Sequence, residues 1–233
     1  RVGHLWDLGM TSLRRAALEM WRRLVGLGFR LLYNEMAFLY DPVSWVVSLG
    51  QWRAWQKTVW PHLPPNGRVL EVGFGPGHLL VNLASGGYQV VGLDLSPAML
   101  RLTQRRLRRR RLTAHLCRGQ ASDLPFAAQE FDAVLATFPT AFIYDPAWMG
   151  QLVRVLKPHG RLIVVEMASF RQDFAPARAL EWLYGITGQR GPGPDLPKLL
   201  EEAGLEAGRT TTSVDGTTVG LVLAKRGAAD RQD

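Results

Sequence analysis

Apolar and polar positions along residues 68–225 follow the pattern of a chain that passes repeatedly between strand and helix. Short apolar runs, typical of buried strands, are separated by longer stretches with an apolar residue every three or four positions, typical of amphipathic helices. The alternation indicates an α/β fold with a mostly parallel sheet and helices on both faces. The pattern predicts strands at 68–73, 89–94, 113–118, 131–137 and 160–167, helices at 77–86, 97–111, 146–156 and 195–204, and a terminal antiparallel hairpin of 205–212 and 217–225.

Residues 11–40 carry the pattern of one amphipathic helix with arginines mostly away from its apolar stripe. The sequence leaves two interpretations open. A basic amphipathic helix can lie on an anionic membrane surface, or the helix can pack over the domain with its arginines in solvent. The stripe is formed by Leu13, Ala17, Met20, Leu24, Leu27 and Leu31, and it is widened by Trp21 and Phe29.

The segment from residue 40 to 63 is rich in aromatic residues, with four tryptophans at positions 45, 52, 55 and 60. We expect Pro42 to end the first helix, because proline has no backbone N–H to donate. Prolines at 61, 64 and 65 and the pair Asn66-Gly67 predict a hinge. The chain is therefore divided into an N-terminal helical cap, residues 1–63, and a second domain, residues 64–233.

Three glycines at alternate positions follow the first predicted strand, in the sequence Glu71-Val72-Gly73-Phe74-Gly75-Pro76-Gly77, and Asp94 ends the second predicted strand. Strand, glycine-rich turn, helix, strand and acid form the layout of a nucleotide-binding unit, in which the acid accepts hydrogen bonds from ribose hydroxyls. His78 stands where a dinucleotide site has its third glycine, and the Lys-Ser or Lys-Thr pair of a phosphate-binding loop is missing. The spacing therefore favours a cofactor with a ribose and no phosphate, and we expect S-adenosylmethionine (SAM).

Four sequence blocks resemble the class I SAM-dependent methyltransferases, in the order of that family. They are the glycine motif and the segments 93–100, 121–134 and 154–162, and together they span about residues 66 to 170. The resemblance implies a Rossmann-like, seven-stranded sheet, with S-adenosylhomocysteine (SAH) as the product. A looser similarity to the methyltransferases of ubiquinone and menaquinone biosynthesis lies in Tyr40-Asp41, Ser48-Leu49-Gly50 and Arg53-Ala54-Trp55. In that group the segment helps to cover the cofactor and to form the acceptor pocket.

The resemblance also implies which residues hold the cofactor. Gly73, Gly75 and Gly77 would lie against the methionine moiety, while Glu71 would orient the loop or reach the ammonium group through water. Asp94 would hold the ribose. The remaining contacts are expected from Leu95 and Met99 on the faces of the adenine, from Gln120 and Ala121 at its edge, and from the carbonyl of Thr137 to the ammonium group.

Two departures from the family bear on the cofactor and on the acceptor. Gln120 stands where the family commonly has an aspartate that accepts from the adenine amino group, and its amide oxygen can accept only without the charge of a carboxylate. The segment Thr137-Phe138-Pro139-Thr140 lacks the Asn/Asp-Pro-Pro-Tyr motif of enzymes that methylate amino groups of nucleic acids. We therefore do not expect a nucleic acid as the partner.

Methyl transfer from a sulfonium is an in-line displacement by an activated donor, so the protein mainly positions the acceptor and excludes water. An acidic oxygen or a ring carbon as acceptor requires a base in some cases, and we assign none. The side chains considered for this role, each with a structural role as the alternative, are His78, Tyr40, Tyr144, Asp41, Asp145 and Glu166.

The net charge of +8 and the isoelectric point near 10.2 favour an anionic partner without choosing among membrane, nucleic acid and acidic substrate. We interpret the seven arginines between Arg101 and Arg111 as a solvated helix face. A single cysteine, Cys117, excludes a disulfide framework and a Cys-rich zinc site, and no metal is expected. With neither a secretory signal nor a spanning apolar run, we expect a cytoplasmic protein, peripheral on the inner face of the membrane if its first helix binds lipid.

The leading functional hypothesis is methyl transfer to a small hydrophobic acceptor, such as a prenylated quinol, a lipid or a lipophilic metabolite. The tryptophan-rich cap and the basic helix support it. A soluble natural-product O- or N-methyltransferase and a non-catalytic binding protein with the same fold stay open as alternatives, whereas the glycine spacing disfavours a dehydrogenase. Residues 171–197 are expected to form an insertion before the last helix, with Trp182 and Tyr184 as parts of a lid.

Overall fold

A computed structural model of the chain describes residues 20–21, 23–28, 30–170 and 194–228. Its strands are β1 (Arg68–Val72), β2 (Gln89–Asp94), β3 (His115–Arg118), β4 (Phe131–Thr137), β5 (Leu156–Phe170), β6 (Leu205–Val214) and β7 (Thr217–Arg226). They form one seven-stranded sheet in the order β3-β2-β1-β4-β5-β7-β6. The neighbouring strands β3, β2, β1, β4 and β5 are parallel to one another, and β7 is antiparallel to both of its neighbours, β5 and β6. The predicted fold class and the terminal hairpin are confirmed.

Helices connect the strands and precede them. They are α1 (Tyr40–Ser48), α2 (Trp52–Gln56), α3 (His78–Ser85), α4 (Pro97–Arg109), α5 (Pro146–Val155) and α6 (Leu196–Glu202), with shorter 3-10 turns at Ala37–Leu39, Lys57–His62 and Ala141–Tyr144. The side chains of Ser96 and Asp145 accept backbone hydrogen bonds at the first turns of α4 and α5, and a proline follows each of them. A capping side chain followed by proline is a strong helix start, because it satisfies one free N–H and removes another.

Two hydrophobic clusters cover the two faces of the sheet. One contains Leu70 and Val134 together with residues of α5 and α6. The other contains Val69 and Leu135 together with cap residues, of which Trp55 is 2% exposed. The cap therefore packs directly on one face of the sheet and shares its core.

The N-terminal helix ends earlier than the sequence predicts. The described residues from 20 to 33 are helical, residues 34–36 form a turn, and Pro42 lies inside α1. The expectation that Pro42 ends the first helix was wrong. Pro42 is the third residue of α1, where a backbone N–H has no helical partner in any case, so proline is accommodated there.

The other boundaries differ from the predictions by a few residues, and β5 is the main exception because it extends from Leu156 to Phe170. Residues 171–193, with Trp182 and Tyr184 of the predicted lid, lie outside the described residues, as do residues 11–19 of the predicted first helix. In the described parts of the chain, no helix combines the length and the apolar character needed to cross a membrane.

Candidate cofactor site

The sequence-predicted cofactor residues lie in one row along the carboxyl edge of the sheet. Gln120 and Ala121 follow β3, Asp94 ends β2, the glycine loop follows β1, and Thr137 ends β4. These four strands are neighbours in exactly that order, β3-β2-β1-β4. The topology thus brings together residues that are up to 66 positions apart in the sequence, at the edge where ligands bind in open α/β sheets.

The glycine loop has a backbone that only glycine adopts without strain. Gly73, Gly75 and Gly77 have φ angles of 71°, 53° and 74°. A Cβ atom at Gly77 would lie 2.3 Å from the side chain of Thr103 in α4, whereas a Cβ at Gly75 would meet nothing within 4 Å. Gly77 therefore allows the loop to contact α4 closely, and Gly75 leaves open space above the loop.

Asp94 connects the glycine loop to the end of β2. Its Oδ2 accepts a hydrogen bond of 2.8 Å from the Gly75 N–H, and its Oδ1 accepts one of 2.8 Å from the Ser96 N–H. Burial raises the pKa of Asp94, and these backbone hydrogen bonds oppose the rise. Each carboxylate oxygen has a further lone pair, so the fixed carboxylate retains the capacity to accept from two hydroxyl groups.

The residues predicted around the adenine differ in their exposure. Leu95 is 59% exposed beside Asp94, while Met99 is fully buried in the core. Gln120 is exposed, whereas Ala121 is partly buried and packs against the opposite hydrophobic cluster.

Glu71 is fully buried at the end of β1. Neither of its carboxylate oxygens accepts a hydrogen bond from another described residue. Burial, followed by the negative charge of Asp94, raises the pKa of Glu71 well above its usual range, and the nearby backbone N–H of Leu80 only partly opposes this rise. A buried carboxyl group of this kind needs either a proton or a cationic group beside it.

The sequence reasoning missed Gln56, which reaches the site from the cap. Its Nε2 donates a hydrogen bond of 3.2 Å to the Oγ1 of Thr137, and its side chain is buried with 6% exposure. A signal was present in the sequence, because Trp52, Trp55, Gln56 and Val59 fall on one helical stripe. A polar residue on an otherwise apolar stripe indicates a buried hydrogen-bonding role.

Aromatic rings from the cap and from the end of β4 pack together above the sheet. Trp52 lies 4.3 Å from Phe138 between ring centroids and 6.5 Å from Tyr40, and Tyr40 lies 5.3 Å from Tyr33. Burial raises the pKa of both tyrosines, and the negative charge of Asp94 contributes to each shift. The cap therefore places an aromatic wall next to the predicted ribose site.

His78 and Asp41, considered as bases, form a polar bridge between the cap and the second domain, residues 64–233, which is called the sheet domain below. The Nε2 of His78 lies 2.8 Å from Asp41 Oδ1, and Arg106 of α4 donates to Asp41 Oδ2. Burial raises the pKa of Asp41, but hydrogen bonds from His78 and Arg106 outweigh this effect and hold the pKa well below its usual range. Burial lowers the pKa of His78. Arg106 is thus held in this bridge, in contrast to the exposed arginines around it that form the expected solvated face.

The remaining candidate bases lie on the other side of β4. Asp145 accepts from the Ala147 N–H at 2.9 Å and caps α5. Glu166 pairs with Arg209 at 3.2 Å, and burial followed by the charge of Glu166 raises the pKa of Tyr144. These contacts give Asp145 and Glu166 structural partners.

A separate open groove of about 670 Å³ lies between the turn Lys57–His62 and the strands β6 and β7. Its lining includes none of the predicted cofactor residues. The row along β3, β2, β1 and β4 therefore stays the candidate site.

Comparison with known proteins bears on the family to which the chain belongs. The model of a family described as "Methyltransferase domain" matches residues 69–160. A demethylmenaquinone methyltransferase of Tropheryma whipplei (strain Twist) is 34% identical over 175 residues, which cover 73% of this chain and 69% of the relative. Another of Renibacterium salmoninarum is 34% identical over 152 residues, with 64% and 62% covered. The chain thus spans about two thirds of the length of these curated relatives.

Among solved structures, a SAM-dependent methyltransferase from Aquifex aeolicus superimposes with a TM-score of 0.57 at 20% identity. The superposition covers 73% of this chain and 88% of the Aquifex protein. At this identity the likeness concerns the fold alone.

Proposed function

This chain belongs to the class I SAM-dependent methyltransferases, and we propose that it transfers a methyl group from SAM to a small hydrophobic acceptor, with a prenylated quinol as the leading candidate. The observation that carries the proposal is the row of residues along the carboxyl edge of β3, β2, β1 and β4. Its order corresponds to an extended ligand with an adenine, a ribose and an amino-acid tail.

The chain's own residues fit this cofactor. Asp94 presents a fixed carboxylate for two ribose hydroxyls, and Gly75 leaves space for close approach of the methionine moiety. The buried, unpaired carboxyl group of Glu71 is suited to the cationic end of SAM, either directly or through water. SAM supplies a methyl group that is already activated as a sulfonium.

The remaining task of the protein is to hold an acceptor in line and to keep water out. The aromatic wall of Tyr33, Tyr40, Trp52 and Phe138 supports both, because it is apolar and next to the site. A flat, apolar ring system such as a quinol would pack well against it. The names of the curated relatives, which are demethylmenaquinone methyltransferases, support an acceptor of the same kind.

We further propose that the cap contacts an anionic membrane surface from which a lipophilic acceptor would enter. Large apolar side chains lie exposed on the cap, among them Phe38 at 72%, Trp45 at 65% and Met20 at 62%. The exposed side chains of Arg23 and Arg30 lie on the same segment. Exposed apolar and aromatic groups beside cations are typical of proteins that lie on anionic lipid.

Two alternatives follow from the same site. A soluble enzyme for natural products would use the same cofactor residues without binding membranes. A non-catalytic binder would hold SAM or SAH without transferring a methyl group, because fold alone does not establish a reaction.

Incubation with methyl-labelled SAM and a bacterial extract, followed by partition between organic solvent and water, tests the proposal. We expect label in the organic phase, and Asp94→Ala should remove it together with SAH binding, since the ribose loses its fixed acceptor. Label in the aqueous phase alone would contradict the hydrophobic acceptor. SAH binding that is unchanged in Asp94→Ala would contradict the cofactor geometry.

A further inference from the structure

The amide of Gln56 is buried and only half satisfied. Its Nε2 is bound to Thr137 Oγ1, which orients the group, while its Oε1 has no hydrogen-bond partner among the described residues. A buried acceptor without a donor costs free energy, and natural proteins retain such groups mainly where a ligand or water completes them.

Gln56 Oε1 shares one face of the sheet with the unpaired carboxyl group of Glu71. Glu71 of β1 is the direct neighbour of Leu135 in β4, so both side chains point to the same face. Thr137 lies two residues after Leu135 and thus on that face too. The cap covers this face, because Leu135 and Trp55 belong to one cluster.

Three oxygens without partners, two from Glu71 and one from Gln56, therefore lie on the cap side of the sheet at the ends of neighbouring strands. When Glu71 is ionised all three are acceptors, so the group that satisfies them must carry several N–H or O–H donors. A cationic ammonium group has three donors and favours a carboxylate nearby. An apolar methyl acceptor would leave these oxygens unpaired.

We propose that Gln56 Oε1 accepts a hydrogen bond from the α-ammonium group of SAM and SAH, so that the cap itself selects ligands with an intact amino-acid tail. The inference rests on the proposed cofactor. It makes Gln56 a specificity residue of the cofactor site, supplied by an element outside the nucleotide-binding unit.

Calorimetric titration with SAH and with its analogue that lacks the α-amino group tests this role without any turnover. The wild-type chain should prefer SAH. Gln56→Met, of similar size and without the amide, should weaken SAH binding about tenfold, as expected for a hydrogen bond to a charged group. It should change binding of the deaminated analogue less than twofold. Gln56→Glu, which keeps an acceptor oxygen, should retain the preference for SAH.

Gln51→Met is the matched control. Gln51 is another cap glutamine, but its Oε1 accepts from Trp55 and Thr217 and lies in the contact with β7. Its loss should leave the ratio of the two affinities unchanged. If Gln56→Met weakens both ligands equally, or neither, the inference is wrong while the proposed function stands. If the folded wild-type chain binds neither ligand, the cofactor assignment itself fails.

Discussion

Glu71 is an ionisable residue with no exposed surface, and this gives the chain a specific pH dependence. Burial raises its pKa well above its usual range, so the folded chain retains a proton that the unfolded chain releases above about pH 4.3. The unfolded state then binds fewer protons, and the free energy of unfolding falls as the pH rises through this range.

The substitution Glu71→Gln should therefore stabilise the chain without cofactor at pH 8, by about 1 to 3 kcal/mol. The gain should shrink towards pH 4, where both states hold the proton. Urea unfolding at several pH values measures it, and Glu206→Gln, at an exposed carboxyl group, is the control. A gain of equal size at pH 4 and pH 8 would contradict the role of ionisation. SAH binding should weaken in the same variant.

At single residues, the sequence predicts the turn formed by the glycine loop, because the positive φ angles there restrict the residue type. The roles of these glycines and of Asp94 in holding the cofactor stay predictions. The structure adds what spacing does not contain. Met99, predicted at the adenine, is fully buried in the core, while Gln56 reaches Thr137 from 81 positions away. A contact of that range depends on how the cap packs, and local sequence periodicity carries no information on it.

Among the elements, α1 is attached to the sheet domain by a polar bridge. Asp41 accepts from His78 at the start of α3 and from Arg106 in α4. The pair of Asp41 and Arg106 is partly exposed, with side-chain exposures of 35% and 20%, so solvent screens it. The bridge connects α1, α3 and α4. We expect its loss to increase local opening of the cap more than local opening of the core.

Asp41→Asn should lower the free energy of unfolding at pH 7 by about 0.5 to 1 kcal/mol and speed amide exchange in α1. Because the pKa of Asp41 is held below its usual value, the contribution of this carboxylate persists above about pH 4 and is lost on further acidification. Because the pKa of His78 is also lowered on folding, the free energy of unfolding falls further as the pH drops below about 6.5.

A double-mutant cycle with Arg106→Gln isolates the pair, and Asp123→Asn on an exposed loop is the control for the loss of one charge. Additive effects of the two substitutions would show that the bridge does not couple them.

The predicted strands and most helices agree with the structure within a few residues, because buried strands and capped helices leave strong local patterns. The first helix is the exception. Its apolar stripe predicts one element over 11–40, yet the described helix stops at residue 33 and a new helix begins at Tyr40. The chain bends there so that Tyr33 and Tyr40 both enter the core cluster, a tertiary requirement that periodicity does not express.

For the whole molecule, the net charge of +8 and the exposed apolar side chains of the cap predict binding to anionic vesicles. The double substitution Phe38→Ser with Trp45→Ser should reduce co-sedimentation with phosphatidylglycerol-containing vesicles at least severalfold, because it removes the two most exposed large apolar side chains among the described residues of the cap. Binding should also weaken at high salt.

Met167→Ser provides the control, since Met167 is 52% exposed on β5 and lies outside the cap. If Met167→Ser reduced vesicle binding as much as the double substitution does, the effect would come from surface apolarity in general and not from the cap. Absence of wild-type binding to anionic vesicles would leave the soluble enzyme as the better account.

The cap and the last strand are joined by a hydrogen bond from the indole N–H of Trp55 to Thr217 Oγ1, 2.8 Å long and spanning 162 residues of sequence. During synthesis Trp55 leaves the ribosome before its partner Thr217 on β7, which follows 162 residues later. The glycine loop and Asp94 can therefore form on a growing chain well before the cap obtains all its contacts. The cap therefore docks late in folding, after the hairpin of β6 and β7 has formed. Gln56 reaches its position beside Thr137 at the same step.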